Sequence, residues 1–257
     1  MDKRQVLNNL LNILANYLNL DLAYGQTYTQ DRQLFRGICN QCVNLNGIDP
    51  KFYTLQDELL SAERDEKGVV DIQKLAYKDN ITIYQGDITT LNADSIVNAG
   101  NKEFLGCFVP CHSCIDNVIL SCGGFEIRNE LRALKSQKDY AQQPVKVTKG
   151  YNLPCKFIFH VAGPQVFGKL TEQNKQDLAY CYTNALDTAK QLNLDSIAFC
   201  CISTGLYAFP NDQACKIAVD TTRVWQQANK YNIKIIFDVF KDQDRGLYEQ
   251  RLFNTHC

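Results

Sequence analysis

Three observations predict an α/β protein: short β-branched runs alternating with longer stretches of helical periodicity, a helical beginning without such runs, and no internal repeat or low-complexity tract. The expected architecture is a three-layer α/β/α sandwich with a mixed, largely parallel central sheet, preceded by an N-terminal helical extension. The texture changes near residue 78. Residues 1–77 are therefore expected to form the extension, packed on a main domain of residues 78–257.

In the extension, Val6, Leu10, Leu11 and Leu14 fall at helical spacing, as do Leu55, Leu59 and Leu60 in TLQDELLSAERDEKG. GIDPKF breaks the chain between them, and Gly68 after RDEK is expected to cap a helix C-terminus. The opening MDKRQVLNNLLNILANYLNLDL is Leu-rich, but Asn recurs through it and no small-residue cleavage site follows. It reads as an amphipathic helix rather than a signal peptide. From Asn80 onward ITIYQGD, SIVNAG, KVTKGYNLP, KFIFHVAGP, SIAFCCIS and IKIIFDVF read as strands, with helical segments around 115–135, 174–192 and 212–229.

Composition narrows the function classes. Lys plus Arg number 27 against 28 Asp plus Glu, so a net charge of -1 gives no general attraction to nucleic acid or to an anionic membrane. An anionic ligand must then be met by local backbone geometry. No apolar run approaches the roughly 20 residues of a membrane span. The twelve cysteines include the adjacent pair Cys200 and Cys201 at the end of an apolar run, which reads as small core residues rather than a disulfide framework and points to a reducing, cytoplasmic compartment.

Four stretches carry candidate chemistry. IYQGDIT places Asp87 at the end of a strand, either as a turn residue or as a carboxylate accepting from an exocyclic amine such as adenine's. SIVNAGN brings Asn98 and Asn101, whose amides suit ribose hydroxyls or simply satisfy turn backbone. CISTGLYAFPND runs from a buried strand through small residues and a proline into a helix, a cradle for a diphosphate, although it contains neither a Walker sequence nor GxGxxG.

The fourth, LGCFVPCHSCIDN, packs three cysteines and a histidine into eight positions. Thiolate and imidazole are zinc's preferred ligands, so a metal site is favoured over free core thiols. Four ligands from so short a loop would strain a closed tetrahedron. Cys107, His112 and Cys114 can converge, with Cys111 pointing away, and three protein ligands leave a position for water or substrate. Asp116 follows at a helix start, where it either orients a reacting group or complements the helix dipole.

The order strand–GDIT, strand–VNAGN, modified loop, ISTG–helix resembles the macrodomain family of ADP-ribose-binding sandwiches across residues 80 to about 250. The GCFVPCH loop and the QDELL…KGVVDI extension look like the zinc-dependent macrodomains, which are protein-ADP-ribose hydrolases. The resemblance implies Asp87 and Ile88 at the adenine, Asn98 and Asn101 near the distal ribose, and Ser203, Thr204, Gly205, Leu206 and Tyr207 around the diphosphate. It implies Zn2+ on Cys107, His112 and Cys114 beside the scissile ribose carbon, with Asp116 and Asn101 as catalytic residues. The implied reaction removes mono-ADP-ribose from a protein carboxylate, releasing ADP-ribose. The implied partners are a mono-ADP-ribosylated protein and a sirtuin-type ADP-ribosyltransferase, with no nucleic acid, no membrane and a monomeric chain.

The family usually reads STGEFGFP where this chain has STGLYAFP, so Leu206 stands for a glutamate and Ala208 for a glycine. Leu120 stands where relatives commonly carry histidine, and Gly100 replaces the alanine of NAAN. These departures raise two alternatives: an ADP-ribose reader with weak or no hydrolase activity, and a zinc loop that only staples the fold.

Overall fold

The structure, a computed structural model, describes residues 2–253. Met1 of the expected extension and residues 254–257 of the expected main domain lie outside the described residues. All six expected strands form: β1 (Ile81–Gln85), β2 (Ser95–Ala99), β3 (Lys146–Lys149), β4 (Phe157–Val161), β5 (Ser196–Phe199) and β6 (Lys234–Val239). They make one sheet in the order β1-β6-β5-β2-β4-β3. Only β3 runs antiparallel to its neighbour; the other pairings are parallel. Uninterrupted burial of β5 explains why its sequence shows no polar alternation: a parallel strand is covered on both faces.

Helices α1 (Lys3–Leu18), α2 (Tyr28–Gln41) and α3 (Lys51–Lys67) precede the sheet. Then follow α4 (Ile115–Gly123), α5 (Glu126–Lys135), α6 (Glu172–Gln191), α7 (Asn211–Asn229) and α8 (Asp242–Phe253). α6, α7 and α8 pack side by side along the sheet, whereas α4 and α5 lie on β2 and β3 and contact α2 and α3 in turn. This is the α/β/α order expected. A second apolar cluster joins Val6, Leu10 and Leu14 of α1 to Phe35 of α2, Phe52 and Leu59 of α3, and Phe125. Each such fully buried side chain contributes roughly 1.5–3 kcal/mol. Phe125 is thus the plug through which the α/β layer enters the helical cluster. Gly68 ends α3 at φ 85°, its N–H bonded to the Arg64 carbonyl, as a C-cap should be.

Four local features differ from the sequence expectation, one of them α2, which no apolar spacing had placed. The segment around 115–135 is two helices, because Gly124 adopts φ 112° and lies where a side chain would meet Gln56 Nε2 at 2.8 Å. Gln56 of α3 fills that break, accepting from the Phe125 N–H at 2.9 Å and donating to Glu126 at 2.6 Å. The KVTKGYNLP strand ends at Lys149, where Gly150 turns back to bond Lys156. α8 was not anticipated: only Asp244, Tyr248 and Leu252 are buried along it, too sparse for a clear stripe. Among the described residues, no helix is long and apolar enough to cross a membrane.

Candidate functional site

Because β1, β2, β4, β5 and β6 are parallel, the loops after them share one edge of the sheet, where open α/β folds bind ligands. That edge carries Asp87, Asn101, the Cys-His loop, Gly163, the segment from Ser203 to Tyr207, and Phe240. Phe167, Leu206 and Phe240 stand on it largely exposed.

In the loop between β2 and α4, the ligand atoms of Cys107, His112 and Cys114 lie within 4.8 Å of one another, the one such Cys/His/Asp/Glu group among the described residues. Cys107 Sγ is 3.7 Å from His112 Nδ1. These three side chains could hold a metal ion. Cys111 is turned out of the group by a left-handed backbone, φ 53°, a conformation costing a non-glycine residue about 1–2 kcal/mol. Its N–H donates to Asn40 Oδ1 at 3.0 Å and its thiol to the Gln33 carbonyl at 3.2 Å, both on α2.

Cys114 is the N-cap of α4, and its sulfur accepts the Asn117 N–H at 3.4 Å. Burial, and then the neighbouring Cys107 sulfur, push the Cys114 thiol up to about 12 despite that N–H. A cation held by these side chains would favour the thiolate instead, as the helix N-terminus already does.

Asp116, in the first turn of α4, is buried and accepts from Asn98 Nδ2 at 2.7 Å. Asn98 also lies 3.0 Å from His160 Nδ1, and His160 Nε2 lies 2.9 Å from Thr148 Oγ1. Asn98 can only donate from this amide nitrogen, so Nδ1 accepts and Nε2 carries the proton toward Thr148. Burial holds His160 neutral, with its pKa down to about 3. A polar chain thus crosses β3, β4 and β2 and ends on the Asp116 carboxylate. Burial raises the pKa of Asp116, opposed by the Asn98 donor and the Arg128 charge. Gly100 lies against the same carboxylate, at a spacing an alanine methyl would meet in ordinary contact.

The two asparagines therefore occupy different settings. Asn98 has no solvent-facing surface, and its Oδ1 has no partner among the described residues. Asn101, half-buried, accepts the Glu103 N–H at 3.0 Å and donates to the Gly106 carbonyl at 3.2 Å, closing the turn that leads into Cys107.

At the other end of the edge, Asp87 accepts from the Thr89 N–H at 2.9 Å and hydroxyl at 2.6 Å and pairs with Lys67 of α3. Burial would raise its pKa, but Lys67 and Thr89 outweigh it and hold the carboxyl below its ordinary value. The Ile88 side chain is buried in the sheet's core, so a ligand can meet only its backbone.

Between these ends, Thr204 Oγ1 bonds the Cys201 carbonyl at 2.9 Å, and the Phe209 N–H bonds the Ser203 carbonyl at 3.0 Å. Ser203 and Ala208 are left-handed, φ 67° and 53°, which explains why a glycine suits position 208. Ser203 Oγ is buried without a partner among the described residues, and Leu206 is 75% exposed at the crest. Gly205 has open space around it, and the Tyr207 carbonyl accepts the Val166 N–H at 2.9 Å. Burial, and then the Asp116 charge, raise the pKa of Tyr207, so the two groups feel each other across the edge.

Arg36, Asn40 and Lys67, all from the first three helices, touch this site and had no sequence signal: their partners lie from 20 to 85 residues away.

A family model described as Macro domain matches residues 97–218. A protein-ADP-ribose hydrolase of Staphylococcus aureus (strain MRSA252) is 40% identical over 223 residues, covering 85% of this chain and 83% of that protein. A protein-ADP-ribose hydrolase of Treponema medium is 37% identical over 207 residues, covering 78% of this chain and 79% of its own. The Oceanobacillus iheyensis macrodomain, solved with ADP, has a TM-score of 0.59 at 30% identity and covers 67% of this chain and 89% of that one. An alignment as long as the first takes in part of α1–α3 as well as the sheet. On its fold and on these likenesses, the chain belongs to the macrodomain family.

Proposed function

We propose that this chain is a zinc-dependent protein-ADP-ribose hydrolase that removes mono-ADP-ribose from modified, carboxylate-linked protein side chains. The observation that carries the reading is the Cys107, His112 and Cys114 group, gathered at the sheet edge two residues before the buried carboxylate of Asp116. Relatives named protein-ADP-ribose hydrolases support it. The donor set suits zinc. Bond lengths of about 2.0–2.3 Å on a tetrahedral ion put donor atoms roughly 3.3–3.8 Å apart. Cys107 Sγ and His112 Nδ1 stand at 3.7 Å.

When bound, the ion supplies Lewis-acid polarisation at the reacting end of the ligand. Asp87, held ionised by Lys67, accepts from the adenine amine, beside the Ile88 backbone. The loop from Ser203 through Thr204, Gly205 and Leu206 to Tyr207 lays backbone N–H groups along the diphosphate, which suits a chain with no basic field. Asn101 orients the distal ribose, and Asn98 steadies Asp116. With its pKa raised by burial, Asp116 is suited to take and return a proton at the carbon–oxygen bond being cleaved.

A second reading, an ADP-ribose reader, is favoured by one observation: Leu206 presents an exposed apolar side chain where a glutamate is usual. The test is release of ADP-ribose from an ester-linked ADP-ribosylated carrier protein, with and without chelator, alongside His112→Ala. The expected result is release that stops on metal removal and in the variant while the melting temperature stays within a few degrees. Undiminished turnover after verified metal removal would overturn the zinc mechanism. Tight ADP-ribose binding with no release would leave the reader.

A further inference from the structure

We infer that α2 is a working part of the metal site, with Arg36 and Asn40 as positioning residues that hold the β2–α4 loop in its ligand-gathering shape. The inference rests on the metal reading above and goes beyond it, because α2 supplies no ligand.

Gln33, Arg36, Gly37 and Asn40 fall at i, i+3, i+4 and i+7, one face of α2. Each of the four meets the loop or its helix. Arg36 Nη2 donates to the His112 carbonyl at 2.8 Å and to Asn117 Oδ1 at 2.6 Å, and its Nε donates to Asn117 Oδ1 at 3.0 Å and Ser121 Oγ at 3.1 Å. Asn117, fully buried, passes that hold on: its Nδ2 donates to the Val109 carbonyl at 2.9 Å and its N–H to Cys114 Sγ. Asn40 Oδ1 accepts the Cys111 N–H, and the Gln33 carbonyl accepts the Cys111 thiol. Gly37 faces the loop closely, so that a Cβ there would stand in ordinary contact, 3.6 Å from Cys111 Sγ and 3.7 Å from Pro110.

Two of the three ligands are thus fixed through α2, His112 by its own carbonyl and Cys114 by way of Asn117. The left-handed turn at Cys111, which swings the chain between Cys107 and His112, is held by two α2 groups. A loop left to itself would have to be ordered by the metal; here the helix orders it beforehand, and that difference appears as affinity.

The experiment is a zinc titration of the full chain against a chromophoric chelator, with cobalt absorption spectra of the same proteins. Arg36→Ala should weaken zinc binding by about 10–100-fold and alter the cobalt spectrum. Arg32→Ala is the control: Arg32 lies on the same helix seam but pairs with Glu63 and the Ser121 carbonyl, outside the loop. It should lower the melting temperature without moving zinc affinity or the cobalt spectrum. Equal zinc affinity in Arg36→Ala and wild type overturns the inference, as does an equal loss in Arg32→Ala. Should Arg36→Ala not fold, Asn40→Ala carries the same expectation, and unchanged affinity in that folded variant is again fatal. A wild-type chain that takes up no metal overturns the metal reading itself, a distinct outcome.

Discussion

Replacing Arg128 with methionine tests what joins the helical cluster to the α/β layer. Arg128 is 2% exposed and, among the described residues, pairs with no carboxylate. Its Nε donates to the Leu105 carbonyl at 2.8 Å, and its Nη1 to the carbonyls of Cys39 at 2.8 Å, Asn40 at 3.2 Å and Cys42 at 2.7 Å. The last three are the orphan carbonyls at the end of α2, the negative pole of that helix. The guanidinium also lies 4.6 Å from the Phe108 ring centroid and 5.4 Å from that of Phe125. Burial lowers its pKa, opposed by nearby acidic groups. Methionine keeps most of the volume, so little cavity forms; what is lost is the donor set. Each charged hydrogen bond is worth about 1.5–3 kcal/mol, but three converge on one nitrogen, so they do not add. No charge is left behind, since the partners are neutral carbonyls, but each acceptor left without a donor costs about 1–3 kcal/mol, and the Leu105 carbonyl and the α2 end together roughly 2–6 kcal/mol. At about 2–4 °C per kcal/mol for a chain of this size, the melting temperature should fall by roughly 4–24 °C in calorimetry or far-UV dichroism. A fall of less than about 2 °C, within the same scaling, would refute the reasoning.

His160→Gln bears on pH. The folded pKa of His160 is depressed to about 3 by burial, so on acidification the unfolded chain takes up a proton that the folded chain refuses, and stability falls between about pH 6.5 and 3. At about 1.4 kcal/mol per pH unit, this one residue removes roughly 3 kcal/mol by about pH 4.5, and urea melts of the variant should lack that slope; an unchanged slope counts against it. Lys67→Met should change stability by less than about 1 kcal/mol, because the pair with Asp87 is half-exposed. Losing Lys67 raises the Asp87 pKa, however, so ADP-ribose affinity should decline at a higher pH than in wild type; superimposable profiles would sink the link. Gly163→Ala places a methyl 2.2 Å from Ser203 Oγ and 2.7 Å from Ile202 Cγ2. Overpacking of this kind costs about 1–3 kcal/mol, and calorimetric titration should show ADP-ribose binding weakened at least tenfold as the loop shifts; wild-type affinity would contradict the placement of that loop.

The parts of the fold legible in the sequence are those whose cause is local. The inner strands β2, β4, β5 and β6 are buried almost throughout and read as short apolar runs, the edge strands β1 and β3 were legible from their β-branched residues, and α2 could have been placed from its capping box, Thr27 with Gln30. Gly-Gly at 123–124 was visible too, yet its effect depends on Gln56, which enters the break from α3. The same division runs through the site. Ligand type and spacing singled out Cys107, His112 and Cys114, whereas the reason Cys111 is excluded lies on α2.

The asparagines show why the remainder could not be read. Asn98 and Asn101 look alike in VNAGN, but Asn98 is inside β2, where it faces His160 across the pairing with β4, and Asn101 lies beyond the strand. Burial keeps His160 neutral, so its Nδ1 must accept; Asn98 Nδ2 then has one hydrogen for His160 and one for Asp116. The hydrogen bond that Asp116 receives at the sheet edge is thus tied to the tautomer of a histidine on another strand. A lone histidine in an apolar run carries no such message, because the message exists only once β2 and β4 are in register.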